Sequence, residues 1–118
     1  MNPVFQKILS QYKVGSREFL QWYIQRYGQN NVAIFQHLPF SHQIGVFIEY
    51  FETQYKLAIV ASYKGFVIHW TDSRNMELDP LNGINYYHHK YTHDEPKSIV
   101  YGYELGVLWL FENYDLPF

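Results

Sequence analysis

The segment LAIVASYKGFVIHWT, residues 57–71, decides the fold class of this chain. It contains two runs of β-branched and aromatic residues, 57–62 and 66–71, which are typical of short strands. The loop between them, Tyr63-Lys64-Gly65, ends in glycine, as a hairpin with one left-handed position requires. The segment therefore predicts an antiparallel β-hairpin.

A third strand is predicted downstream of this hairpin. Residues 84–91 have the tyrosine density that strands favour. The intervening sequence contains turns at 72–75 and 79–83, and Pro80 limits residues 76–78 to a brief edge pairing. Three strands are therefore expected, two of them adjacent in sequence.

Apolar residues at helical spacing lie on both sides of the predicted sheet. Before it, residues 41–54 carry apolar side chains three and four apart, with Ser41 as the expected N-cap. After it, residues 99–111 are apolar almost all round and predict the most buried helix, with Asp94 as its cap and Pro96 in its first turn. Residues 41–114 thus predict an α-β-β-β-α unit.

Two or three further helices are predicted in residues 1–38. The first is expected to end at Val14-Gly15, and Ser16 is expected to cap a second that runs from 17 to 27. A short third segment, 32–37, precedes Pro39. We expect one α+β domain over residues 1–118, in which N-terminal helices precede the α-β-β-β-α unit and helices cover a small antiparallel sheet.

Composition narrows the class of protein. Hydrophobic residues make up 47% of the chain and charged residues 17%, which predicts a folded domain. The absence of cysteine excludes a disulfide framework and thiolate chemistry, and it fits the cytoplasm. The first residues lack the pattern of a signal peptide, and the apolar run 99–111 is shorter than the roughly 20 residues that span a bilayer. We therefore expect a cytoplasmic protein with no membrane partner.

Charge is distributed unevenly along the chain. Residues 1–48 contain four basic and one acidic side chain, whereas residues 49–118 contain five basic and ten acidic ones. This asymmetry is compatible with electrostatic steering of a partner or of a second copy. A solvated helical surface is the simpler explanation and the one that we favour.

The run HQIGVFIEYFE at 42–52, the tyrosine-rich segment 84–91 and the acidic residues before the last helix resemble a type of small phage or prophage protein. The resemblance covers residues 42–114 and consists of the helix–three strand–helix order. Because those proteins are mostly uncharacterised, the resemblance implies a fold and a phage origin, and it implies no functional residue.

The same order of elements is similar to that of the double-stranded-RNA-binding domain. That family carries a lysine-rich cluster at the start of its last helix, which holds phosphates across a groove. Here the corresponding stretch is Asp94-Glu95-Pro96-Lys97, which would repel phosphate. Binding of double-stranded RNA by that surface is therefore excluded.

Three of the six histidines lie close together, at His88, His89 and His93. Imidazole is the commonest metal ligand, so a metal-dependent enzyme is one hypothesis. However, adjacent residues of a strand point to opposite faces, and His89 and His93 lie about 13 Å apart on an extended strand. A metal site needs a sharp turn at Thr92; otherwise these histidines are surface or edge-strand side chains, and no cofactor is predicted.

Other patterns have simple structural explanations. His69 precedes the Asp72-Ser73 turn, but this spacing does not define a catalytic triad. Glu49 and Glu52 are expected on the solvated side of their helix. Gly102 and Gly106 lack the strand and turn of a phosphate loop, and their spacing permits another helix to approach closely, within the fold or across a dimer, with packing inside the fold the favoured interpretation.

Basic and aromatic residues alternate near the N-terminus, which suits nucleic acid because bases stack on rings and cations hold phosphates. This alternative assigns binding to Lys13, Arg17, Trp22 and Arg26. Trp22 lies outside the apolar stripe of its helix and is expected to be partly exposed or packed on another element.

Aromatic residues make up 20% of the chain, more than a domain of this size easily buries. Exposed tyrosine and tryptophan are common anchors of protein interfaces. The main prediction is a non-enzymatic binding or accessory protein that acts on a protein partner or on itself as a homodimer. The predicted binding residues are Trp22, Arg26, Tyr63, Tyr86, His88 and Lys90.

Overall fold

The computed structural model describes residues 1–71, 86–95 and 97–113, and it describes the backbone alone at 70, 71 and 86–89. These residues form five α-helices and one three-stranded antiparallel sheet, which confirms the predicted α+β class. In chain order the elements are α1 (Pro3–Gln11), α2 (Lys13–Tyr27), a 3-10 turn (Gln29–Asn31), α3 (Val32–His37), α4 (Phe40–Tyr55), β1 (Leu57–Ser62), β2 (Gly65–Thr71), β3 (Tyr86–Thr92) and α5 (Ile99–Glu112). None of the described helices is long and apolar enough to cross a membrane.

The sheet has the order β1-β2-β3, and the predicted hairpin is confirmed. Ser62 pairs with Gly65 at the turn, and Gly65 pairs on its other side with Thr92 of β3. Gly65 has φ +147°, and a Cβ there would lie 1.9 Å from the carbonyl oxygen of Tyr91. Only glycine therefore allows the hairpin to turn and β3 to approach it at this position.

Helix α5 covers one face of the sheet through its two glycines. A Cβ on Gly102 would lie 2.5 Å from the carbonyl oxygen of Gly65, and one on Gly106 would lie 3.0 Å from the side chain of Ile59. The glycine spacing therefore serves packing within the fold. The element that approaches is the β-hairpin rather than another helix.

The N-terminal helices pack on α4 and α5 around a cluster of phenylalanines. Six of these side chains are at most 2% exposed: Phe5, Phe19, Phe35, Phe47, Phe51 and Phe111. Phe19 lies at the centre, with its ring stacked 4.8 Å from that of Phe47 and edge-on at 6.2 Å to that of Phe111. Because Phe47 belongs to α4 and Phe111 to α5, this cluster joins the first helices to the α-β-β-β-α unit.

The predicted boundary between the first two helices is wrong. The break lies at Tyr12, which has φ −117° and ψ 63°, and α2 already begins at Lys13. Ser16, the expected cap, is buried within the helix, and its hydroxyl donates to the carbonyl of Lys13 at 3.2 Å. The ring of Tyr12 stacks on Phe111 at 6.4 Å, so tertiary packing places the break before the Val14-Gly15 signal.

Two other expected caps are also wrong. Helix α4 begins at the buried Phe40 after an extended Pro39, so Ser41 lies inside its first turn. Helix α5 is capped by Ser98, whose hydroxyl accepts a 3.0 Å hydrogen bond from the Tyr101 amide, and Asp94 lies in the bend before it. Burial of Phe40 therefore accompanies the start of α4, and the Ser98 cap marks the start of α5.

Several predicted features lie outside the described residues. These are the turns at 72–75 and 79–83, the edge pairing at 76–78, the first two residues of the strand predicted over 84–91, Pro96 and the tail at 114–118. The described part of the third strand is Tyr86–Thr92, in antiparallel register with β2.

Candidate interaction surface

Two surfaces hold the predicted binding residues. The first is the helical patch, which we define as Trp22, Arg26 and Tyr27 of α2 with Glu49 of α4. Trp22 and Arg26 lie four residues apart and therefore on one side of α2. The guanidinium carbon of Arg26 lies 5.8 Å from the centre of the Trp22 ring.

The charges of the helical patch are balanced within the chain. Arg26 forms an ion pair with Glu49, and the Tyr27 hydroxyl donates a hydrogen bond to the same carboxylate. The hydrogen bond to Glu49 and, to a smaller extent, loss of hydration raise the pKa of Tyr27, although Arg26 opposes this shift. Glu49, expected on the solvated side of α4, is instead half-buried between its two donors.

Trp22 has a packing role in this patch. Its ring lies 5.2 Å from that of Tyr50 and 6.0 Å from that of the buried Phe19. Of the two expected environments, partial exposure and packing on another element, the half-buried Trp22 has both.

The basic residues of the nucleic-acid alternative do not form one cluster. Lys13 and Arg17 are exposed on α2. Arg17 and Arg26 are nine residues apart, and at 3.6 residues per turn this places them on opposite sides of the helix. Arg26 is in addition neutralised by Glu49.

The second surface is the face of the sheet that α5 does not cover. Buried and accessible residues alternate along β1 and β2, with Leu57, Ile59, Phe66 and Ile68 facing the core. The residues between them form what we call the outer face: Ala58, Val60, Val67, His69 and Lys90. Val60 is 54% exposed, Ala58 and Lys90 are also exposed, and Val67 and His69 are half-buried.

The register aligns this outer face in rows across the strands. Val60 pairs with Val67, which pairs with Lys90, and Ala58 pairs with His69, which pairs with His88. The sequence contains no aspartate or glutamate at 57–71 or 86–92. The outer face therefore combines an aliphatic centre with a cation at its side and no carboxylate in any strand.

The predicted residues of the third strand belong to the same sheet. Tyr86, His88 and Lys90 occupy alternate positions of β3 and pair with Thr71, His69 and Val67. Lys90 is exposed, and the side chains at 86–89 lie outside the described set. Tyr63, at the tip of the hairpin, is 60% exposed.

The tip of the hairpin is fixed to the segment before α5. The carbonyl of Lys64 accepts from the His93 amide at 2.8 Å, and that of Tyr63 accepts from the Lys97 amide at 2.7 Å. The ammonium of Lys97 lies 4.8 Å from the centre of the Tyr101 ring. These contacts hold Tyr63 on an ordered backbone while its side chain stays accessible.

His93 is directed toward α5. Its ring lies 5.6 Å from that of Tyr101, nearly edge-on, and its two ring nitrogens have no hydrogen-bond partner among the described residues. No group of three metal-ligating side chains occurs in the described parts of the chain. A metal site formed by His93 with His88 and His89 stays a prediction, because the side chains of His88 and His89 lie outside the described residues. The Asp72-Ser73 turn considered beside His69 also lies outside them.

A groove of about 230 Å³ lies between α1, α5 and the inner side of β2 and β3. Tyr12, Phe66, Tyr91 and Trp109 contribute its aromatic walls, and Lys7 and Glu112 contribute its charges. Loss of hydration and, to a smaller extent, the charge of Glu112 raise the pKa of Tyr12 above its ordinary value. We assign the groove no reaction.

Sequence reasoning missed Ala58, Val60 and Val67. The available signal was the run LAIVAS, which is apolar at successive positions rather than alternating with charged residues. A strand that is apolar on both sides is expected to be covered on both sides. The chain matches no protein-family model, no curated protein and no solved structure.

Proposed function

We propose that this protein is a non-enzymatic, cytoplasmic interaction module that binds an acidic and partly apolar segment of a partner protein on the outer face of its sheet. The observation that supports this is a row of exposed Val60, half-buried Val67 and exposed Lys90 across three strands that contain no carboxylate. The aliphatic residues predict an apolar part of the partner, and the lysine predicts an acidic one.

The aliphatic centre selects apolar side chains. Removing aliphatic surface from water contributes about 25 cal/mol per Å² of buried area to the favourable free energy of binding. Ala58, Val60 and Val67 adjoin one another across β1 and β2, so one partner segment can cover all three. Aliphatic side chains offer no stacking platform for bases, which favours a protein over a single-stranded nucleic acid.

The cationic side selects carboxylates. Lys90 is exposed beside Val67, and the described residues provide it with no acidic partner. By contrast, Arg26 of the helical patch is already paired with Glu49, so a partner that bound there would have to displace this carboxylate. Charges at the rim of an interface mainly set the association rate and its salt dependence.

The test uses a fluorescent peptide of alternating leucine and glutamate and measures its anisotropy as protein is added at low salt. We expect Lys90→Glu to weaken binding about tenfold. Lys13→Glu changes the net charge equally but lies on α2, so it is the matched control and should leave binding unchanged.

Three results would contradict the proposal. They are absence of peptide binding, equal losses in the two variants, and equally tight binding of a peptide in which lysine replaces glutamate. A single-stranded oligonucleotide that binds more tightly than the peptide, with binding lost in Lys13→Glu and Arg17→Ala, would favour the nucleic-acid alternative instead.

A further inference from the structure

The two edges of the sheet differ in how they are protected from other strands. An exposed edge presents unpaired backbone N–H and C=O groups, and soluble proteins usually protect it with lysine, proline, a bulge or a covering element. The edge strand β3 contains Lys90 and two histidines. The other edge strand, β1, contains no charged residue, no proline and no bulge over Leu57–Ser62.

Strand β1 is also regular, and no described strand pairs with its outer side. Its six residues pair one-to-one with β2, so alternate backbone groups point away from the sheet. Among the described residues, no backbone hydrogen bond reaches this outer edge. A strand of this kind adds another strand readily.

We infer that the outer edge of β1 pairs with β1 of a second copy, which gives a two-fold dimer with a continuous six-stranded sheet. This inference rests on the proposed function, since it makes the two outer faces parts of one larger binding surface. An uncharged strand offers no feature by which a foreign charged segment would be preferred. A second copy always supplies a strand that is equally uncharged, and a two-fold axis requires such self-complementarity.

The flanking residues define a register for this pairing. Antiparallel pairing centred on Ile59 places Ala58 opposite the partner's Val60, so residues on one side of the sheet meet residues on the same side. It places Lys56 opposite the partner's Ser62. A pairing centred on Val60 would instead place Lys56 opposite the partner's Lys64, where like charges repel.

The experiment measures the molecular mass of the full chain by sedimentation over a range of concentrations. We expect a concentration-dependent dimer whose dissociation constant rises about tenfold or more in Val60→Lys, because the register brings the two new lysines to diagonal positions across the axis. Val67→Lys is the matched control: it places the same charge on the same face but on β2, whose two edges are already paired. Circular dichroism verifies that each variant is folded.

Two outcomes would overturn the inference: a wild-type chain that stays monomeric, and a dimer that Val60→Lys and Val67→Lys weaken equally. The proposed function is tested separately by Lys90→Glu. Lys90 lies on β3, at the opposite edge of the sheet from β1, so this substitution should leave the dimer intact. A monomer that still binds the acidic peptide in a Lys90-dependent manner would refute the dimer alone. A dimer that fails to bind the peptide would refute the proposed function alone.

Discussion

The helical patch and the outer face of the sheet both contain predicted binding residues, but they differ in what their side chains contact. In the helical patch, Arg26 and Tyr27 both bind Glu49, and Trp22 packs on the core. On the outer face, Val60 is mostly exposed and Lys90 has no acidic neighbour among the described residues. A residue type that is common at interfaces therefore indicates a binding surface only when its side chain is not already paired or packed within its own chain.

The largest expected effect comes from breaking the sheet on which the outer face is built. Gly65→Ala combines a left-handed backbone position with a Cβ that would lie 1.9 Å from the Tyr91 carbonyl oxygen. Strain and overpacking each cost about 1–3 kcal/mol, so we expect the free energy of unfolding to fall by about 3 kcal/mol or more. Chemical denaturation measures this change.

Gly45→Ala is the matched control for that substitution. Gly45 is exposed within α4, and a Cβ there would meet no atom within 4 Å. Alanine is the better helix former, so the free energy of unfolding should rise by up to about 1 kcal/mol. If both alanines destabilised the protein equally, the close approach of β3 to Gly65 would not be the cause.

A second prediction separates the two surfaces directly by comparing Trp22→Ala with Tyr63→Ala. Because Trp22 packs against Phe19 and Tyr50, its removal should lower the free energy of unfolding by about 2–3 kcal/mol. Tyr63 is 60% exposed, so its removal should change stability by less than about 0.5 kcal/mol. Thermal and urea denaturation measure both values, and a larger loss for Tyr63 would reverse the assignment of the two residues.

These contrasts explain how much of the fold could be predicted from sequence. The hairpin was predictable because Gly65 is a turn residue and the flanking runs are β-branched, and both signals are local. The caps at Ser16, Ser41 and Asp94 were not, because several polar residues near each helix start were equally suitable. Packing of Tyr12 on Phe111 and burial of Phe40 decided two of these boundaries.

The candidate surface was predictable only in part, for a related physical reason. Aromatic content identifies residues that suit an interface, but it does not reveal which rings the core will use. Trp22 is a predicted binding residue, but its ring packs on those of Tyr50 and Phe19. Val60 is not among the predicted binding residues, because a valine in an apolar strand is expected in the core. Only the position of α5 shows which face of the sheet is covered.

The smallest expected effect concerns two half-buried glutamates. Like the two surfaces, they differ in whether the charged group has a partner within the chain. Glu49 has Arg26 and Tyr27 as donors, whereas Glu104, in the apolar helix α5, has no donor among the described residues. Burial raises the pKa of Glu104 above its ordinary value. The folded state therefore holds its proton to a higher pH than the unfolded state does.

The contribution of this carboxyl to the free energy of unfolding therefore falls as the pH rises. The loss begins near the unfolded pKa of 4.5 and is complete above the raised folded pKa. Glu104→Gln should accordingly stabilise the protein slightly at neutral pH and have no such advantage below pH 4.5, where the carboxyl is protonated in both states. Glu49→Gln is the matched substitution of opposite sign, since it weakens an ion pair worth about 0.2–1 kcal/mol. Urea denaturation at acidic and neutral pH measures both variants. A destabilised Glu104→Gln at neutral pH would mean that this carboxylate, like that of Glu49, has a partner in the folded protein.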